Sequence, residues 1–215
     1  MYNKIIPLGS NCGITFILQH LKIKKETSLF EWFRSGSLSS INKVVQHIHD
    51  HGINYNIVCK NVDYITFFGD RTQNAVETSH YKIKNFKDIY IRRAQRFMDN
   101  IKNGQSLLFI RIDNEVSSPT KKTDIENFIN IIKQINPTLQ FTFLLISCVE
   151  HEIDFKPIDN LDNFINKYIL KNDYKNDIYI QNNNLVNDKI KQILIDIGYN
   201  FDEIIDIEFN DKSEI

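Results

Sequence analysis

Apolar residues follow two rhythms along this chain, and the switch between them predicts the order of elements. Residues 106–112 form an apolar run broken only by Arg111, the pattern of a strand buried on both faces. Residues 139–147 form a second such run. Between them, Thr123-Asp124-Ile125-Glu126 reads as a capping box that opens a helix running to about residue 134, with Pro137 past its end. Strand, helix and strand in succession predict a right-handed parallel crossover.

The N-terminal half reads in the same way. Residues 4–8 are a short apolar run that stops at Gly9, which predicts a strand. Ile14, Phe16, Ile17, Leu18 and Leu21 then recur at partly helical spacing, so a helix begins near Asn11 or Cys12 with Ser10 or Asn11 as its N-cap. Phe30, Trp32 and Phe33 are anchors in a mixed stretch. Residues 39–49 are helical, with Ile41, Val44, Val45 and Ile48 on one face. Residues 55–58 and 64–68 are candidate strands of a hairpin, and 70–79 a polar loop. Residues 87–102 form a helix closed by Asn103-Gly104, a C-cap signal. In the tail, 161–170 and 186–197 read as helices, and 177–181 and 204–209 as strands. Strands alternating with helices predict an α/β, three-layer domain with a largely parallel central sheet. At 215 residues, one domain over 1–215 is expected.

Composition narrows the function classes. The 42% hydrophobic content is enough for a sizeable core. Lys plus Arg (26) nearly balances Asp plus Glu (27), for a net charge of −1, so no overall pull toward nucleic acid or an acidic membrane is expected. No apolar run reaches the ~20 residues that span a bilayer, and no secretory leader is visible at the N-terminus. The three cysteines, Cys12, Cys59 and Cys148, are far apart and form no CxxC pair, which argues against a disulfide framework or zinc ribbon. A reducing, cytoplasmic setting follows.

Candidate chemistry centres on Gly9-Ser10-Asn11-Cys12, between the first strand and the first helix. A cysteine at a helix start meets outward-pointing N–H groups and the positive end of the helix dipole. Both favour thiolate, the nucleophilic form, and the same N–H groups can hold an oxyanion. The competing reading is a small core residue, which is the expectation for Cys59 and Cys148. Among the six histidines, His80 and His151 are the credible bases. His47, His49 and His51 have spacing that suits a metal, but no carboxylate cluster completes it, and a solvated helix end explains them. Glu31 sits among aromatics in Leu29-Phe30-Glu31-Trp32-Phe33; a charge so placed needs a specific partner. Asp113, after a predicted strand, can approach the same sheet edge. Arg92, Arg93 and Arg96 cluster on one helix, either as an anion site or as a solvated face. Arg111, inside a buried strand, needs a carboxylate partner.

Several of these segments together resemble an uncharacterised family described as papain-like cysteine peptidases. The resemblance starts at Pro7-Leu8-Gly9-Ser10-Asn11-Cys12 and continues at Phe30-Glu31-Trp32, where that family usually has Phe-Asp. It then takes in the His80 region, residues 90–97 and the strand at 107–111. A shorter likeness links the Gly9–Cys12 turn to an acetyltransferase-like family of capsule-polysaccharide biosynthesis. These resemblances imply Cys12 as nucleophile, His80 as base in preference to His151, and Glu31 as the orienting acid. Gly9, Ser10, Asn11, Arg92 and Arg93 would bind substrate.

Two enzyme readings share that chemistry. The first expectation is an acyltransferase acting on a sugar or glycan precursor, with coenzyme A or acetyl-coenzyme A as acyl donor and no metal. The alternative is a papain-like hydrolase, although no all-β half of the papain kind is visible. A third reading is a non-catalytic sugar- or nucleotide-binding module. In each case the partner is a small molecule or glycan rather than nucleic acid or membrane. Oligomeric state stays open.

Overall fold

The computed structural model of the chain describes residues 2–9, 12–53, 65–68, 76–78, 83–113, 120–147, 163–168 and 184–201. Four strands, β1 (Lys4–Pro7), β5 (Ser106–Asp113), β6 (Gln140–Ser147) and β7 (Phe164–Tyr168), lie side by side in that order. All three pairings are parallel. The two long apolar runs pair along their full length, from Ser106↔Gln140 to Asp113↔Ser147.

Side chains alternate across a strand, so each run feeds two cores. Leu107 and Phe109 face one cluster with Phe141, Phe143 and Leu145. That cluster is covered by α2 (Leu38–His51), α3 (Ile83–Asn103) and α4 (Lys122–Ile135). Leu108, Ile110 and Ile112 face a second cluster, with Leu144 and Ile146, beneath α1 (Gly13–His20) and α5 (Asn184–Asp196). The result is the expected α/β fold: helices, parallel sheet, helices. Phe109 is the aromatic centre of the larger core, with ring centroids 5.1 Å from Phe128, 5.9 Å from Phe141 and 6.5 Å from Phe97.

A small antiparallel sheet joins β2 (Arg34–Ser35), β3 (Ile65–Phe68) and β4 (Val76–Thr78) in the order β2-β4-β3. It pairs Arg34 with Glu77 and Ser35 with Val76. Strand β4 falls within the stretch expected as a polar loop. Short β2 supplies an edge whose backbone groups need partners, and pairing meets that need where side-chain pattern says little.

Other boundaries also differ from expectation. The segment read as a helix over 161–170 holds β7, paired from Phe143↔Phe164 to Ser147↔Tyr168. Without it, the backbone edge of buried β6 would lack partners, and Phe, Ile and Tyr suit a strand. Asn163 starts β7 at φ 67°; its carbonyl accepts from Phe143 N–H, and its side-chain amide donates to Phe141 O. The N-cap of α1 is Cys12 rather than Ser10 or Asn11. The N-cap of α4 is Lys121, with no side-chain cap bond, so Thr123 and Glu126 form no capping box. Helix α3 starts at Ile83, earlier than its apolar pattern indicates, and ends at Asn103. A Cβ on the following Gly104 would strike the Asn100 carbonyl. The strands expected at 55–58, 177–181 and 204–209 lie outside the described residues. No helix among the described residues is long and apolar enough to cross a membrane.

Phe109 is fully buried, so Phe109→Ala is expected to cost about 3–5 kcal/mol. Ile195 is 46% exposed, and Ile195→Lys should stay within about 0.5 kcal/mol of the natural protein. Urea unfolding of both variants measures the contrast; similar losses would contradict the layer assignment.

Candidate active site

The candidate nucleophile stands where β1 ends. Leu8 N–H still donates to Ile110 O at 2.8 Å, as a sheet residue does. Gly9 then turns the chain at φ +68°. A Cβ on Gly9 would lie 3.0 Å from Ser35 Oγ, so glycine meets both a backbone and a space requirement here. Cys12 follows as the N-cap of α1, at φ −74° and ψ −9°, and its carbonyl accepts Phe16 N–H at 3.2 Å. Its place is therefore the C-terminal edge of a parallel sheet, where α/β sites gather.

Cys12 is half-buried, and burial pushes its thiol up to about 11. This reverses the expectation of a depressed value at a helix start. Burial costs the thiolate more than the N-terminal end of an eight-residue helix returns. Near neutral pH the resting group is the thiol.

The segment after α1 packs beside Gly9, where an added Cβ would lie 3.6 Å from the Phe30 carbonyl oxygen and 3.7 Å from that of Phe33. Trp32 lies edge-on to Phe16, with centroids 4.9 Å apart, and Phe30 packs edge-on to Phe97 at 5.4 Å. Trp32 adopts a left-handed φ of 65°. Between these anchors Glu31 is 2% exposed. Its Oε2 lies 3.0 Å from Lys24 Nζ, and its Oε1 accepts Ser28 N–H at 2.6 Å. Arg93 Nη1 donates to the Glu31 backbone carbonyl at 3.4 Å. Lys24 Nζ also sits 5.9 Å from the centre of the Trp32 ring, within cation–π reach. Burial pushes the Glu31 carboxyl above its usual range, while Lys24, the Ser28 N–H and Arg93 pull it back. The partner that a charge among aromatics requires is thus Lys24.

Beneath the turn lies Arg111, fully buried in β5. Its Nε donates to Asp113 Oδ1 at 2.8 Å. Nη1 reaches Leu8 O at 3.1 Å and Ser35 Oγ at 2.9 Å, and Nη2 reaches Ser35 O at 3.3 Å. Asp113 Oδ2 accepts Thr120 N–H at 2.9 Å. Asp113, expected to approach the site itself, is 2% exposed and occupied by Arg111 and Thr120.

A family described as "Putative papain-like cysteine peptidase" matches residues 3–151. The chain belongs to this family. The matched span takes in the Gly9–Cys12 turn, Glu31, His80, Arg92, Arg93, Arg111 and Asp113. The uncharacterized protein R408 of Acanthamoeba polyphaga mimivirus is similar, at 30% identity, with 78% of this chain and 88% of that protein covered. No solved structure matches the chain.

Within this family member, the sequence-derived candidates have separate positions. Cys12, Gly9 and Glu31 are described, with Gly9 against the Phe30 and Phe33 carbonyls and Ser35. Ser10, Asn11, His80, His151, Cys59 and Cys148 lie outside the described residues. The described backbone upstream of His80 ends at Thr78 in β4, which pairs beside β2. On α3, Arg92 is exposed, whereas Arg93 is 1% exposed and turned to Glu31. Adjacent helical residues point about 100° apart, so the two arginines do not line one wall. Ser35 and Lys24 went unnoticed in the sequence. Ser35 has no signal there, and Lys24 stands in Lys22-Ile23-Lys24-Lys25, which resembles a solvated run.

Away from this corner, an open groove of about 650 Å³ separates α2 from α4, lined by residues including Asn42, Gln46, His47, Asp50, His51 and Asn127. The His47 and His51 rings are 4.9 Å apart. Among the described residues no group of three or more His, Cys, Asp or Glu could hold a metal.

Two measurements check these electrostatics. With a thiol near 11, alkylation of Cys12 by iodoacetamide should rise about tenfold per pH unit between about pH 7 and 10. A plateau near pH 7, followed by peptide mapping, would contradict the enclosure. For Glu31, the unfolded chain releases its proton near the ordinary carboxyl value of about 4.3, and the folded chain holds it to higher pH. The folded state then binds more protons, so this group's contribution to stability falls as pH rises through that window. Lys24→Met should steepen that fall in urea unfolding, and adding Glu31→Gln should flatten it.

Proposed function

We propose that this protein is a cysteine-dependent hydrolase with Cys12 as nucleophile, acting on an amide or related acyl bond. The observation that carries this reading is the half-buried thiol at the N-cap of α1, directly after β1 and Gly9 at the carboxyl end of the parallel sheet. Membership of a family described as cysteine peptidases supports it.

The chemistry follows from the thiol's raised value. Because the resting group is protonated, attack requires a base that takes the proton as the sulfur–carbon bond forms. We assign that base to His80. The carbonyl oxygen that becomes negative would be held by N–H groups at the start of α1, together with the Asn11 side chain. The leaving amine takes the proton from the imidazolium, and water then cleaves the thioester to restore the thiol. Gly9 and Ser10 shape the turn. Glu31, engaged by Lys24 and Ser28, enters this reading as the support of the enclosing segment.

The acyltransferase reading rested on the short likeness of the Gly9–Cys12 turn and on an anion-binding wall formed by Arg92 and Arg93. The family match points to the hydrolase, and the inward position of Arg93 takes it away from that wall, leaving Arg92 and Arg96.

Cys12→Ala is expected to abolish hydrolysis of a peptide or ester library, to below about 10⁻³ of the natural rate, with melting temperature little changed. Acetyl-coenzyme A at millimolar concentration should neither be consumed nor raise the melting temperature. Cys12-dependent acetyl transfer to an amino sugar would instead establish the transferase, and hydrolysis that survives Cys12→Ala would remove Cys12 from the chemistry.

A further inference from the structure

Arg111 is the residue whose presence the fold alone does not explain. A guanidinium enclosed in the central strand of an apolar sheet is costly to desolvate, and a well-packed apolar pair in place of such an ion pair is often as stable or more stable. Its donors point to one place. Nη1 is shared by Leu8 O (3.1 Å) and Ser35 Oγ (2.9 Å), and Nη2 turns to Ser35 O (3.3 Å). Leu8 is the last residue of the β1 line to donate into β5. Its carbonyl belongs to the peptide plane that leads into Gly9, which turns the chain at φ +68° three residues before Cys12. Ser35 is the wall that a Cβ on Gly9 would strike. One planar, charged group therefore holds both the Leu8–Gly9 peptide and Ser35 beside it, and Asp113 fixes that group in turn through Nε at 2.8 Å.

We infer that Arg111 is a positioning residue for the Cys12 turn: it holds the Leu8 carbonyl and Ser35 so that the thiol keeps one enclosed place at the end of β1. Lysine would not reproduce this, because a single ammonium cannot present a rigid fork to Leu8, Ser35 and Asp113 together. The activity part of the inference rests on the hydrolase reading; the effect on the thiol does not.

The test is the double variant Arg111→Met/Asp113→Leu, which removes both charges and leaves neither unpaired. Circular dichroism and urea unfolding report whether it is folded. The pH profile of Cys12 alkylation is then compared with that of the natural protein. The expected result is a folded protein whose midpoint moves from about 11 toward the ordinary cysteine value of about 8.5, with alkylation at pH 7 at least about tenfold faster. Hydrolytic kcat should fall about tenfold to a hundredfold with KM within about twofold, as for a displaced reacting group. A purely structural role would change stability and leave the alkylation profile in place, and that result overturns the inference. Should the double variant not fold, Ser35→Ala removes one Nη1 acceptor, and the same shift or its absence decides. A shifted profile in a protein without Cys12-dependent hydrolysis would keep the inference and remove the hydrolase reading. Hydrolysis with unshifted profile and unchanged kcat would do the reverse.

Discussion

A buried guanidinium in the second strand of the sheet constrains the arrangement around it. Arg111 cannot lose its charge under any ordinary condition, so each neighbour has to supply an acceptor. Asp113 supplies one from the same strand, Leu8 one from the adjacent strand, and Ser35 two from the small antiparallel sheet. These elements are far apart in sequence, and the apolar core that joins Leu8, Phe33 and Phe109 does not by itself aim their polar groups at one point. The cost of leaving a buried donor unsatisfied aligns them. Asp113 extends the constraint to Thr120, just before α4.

On that footing a second charged group closes the corner. Lys24, Glu31 and Arg93 are all nearly enclosed, and they hold the segment after α1 against α3. Phe30 and Trp32 carry that segment into the core on either side of Glu31. The two groups divide the work: Arg111 supports the turn from below, and Glu31 with its partners holds the cover. Cys12, at the start of α1, is half-buried, and burial raises its thiol.

Enclosure has a consequence for mechanism. A thiol held in its neutral form is protected from casual oxidation and alkylation, since the thiolate is the reactive species. It becomes a nucleophile only when a base is aligned with it. On the proposed hydrolase reading, such a site differs from a resting thiolate–imidazolium pair and couples reactivity to the alignment of base and substrate. The parallel α/β frame is also unlike a helix set against a barrel, because the antiparallel sheet among the described residues has three short strands. In this chain the cysteine follows the end of a parallel strand.

Much of the fold follows from local pattern alone. The buried runs at β5 and β6, the apolar faces of α2 and α5, and the turn after β1 are each written in spacing that one element imposes on its own residues. The need of Arg111 and Glu31 for partners was equally legible, because an ionised group in an apolar context must be paired. What the sequence could not specify was which partners, since Lys24 resembles a solvated lysine and Ser35 an ordinary serine until folding brings them in. Strand β7 escaped for a related reason: the open edge of β6, more than its own spacing, makes that segment a strand. The direction of the Cys12 shift belongs to the same class. The helix start that favours a thiolate is a local feature, but the burial that outweighs it arises only on folding, and the tertiary structure sets that balance.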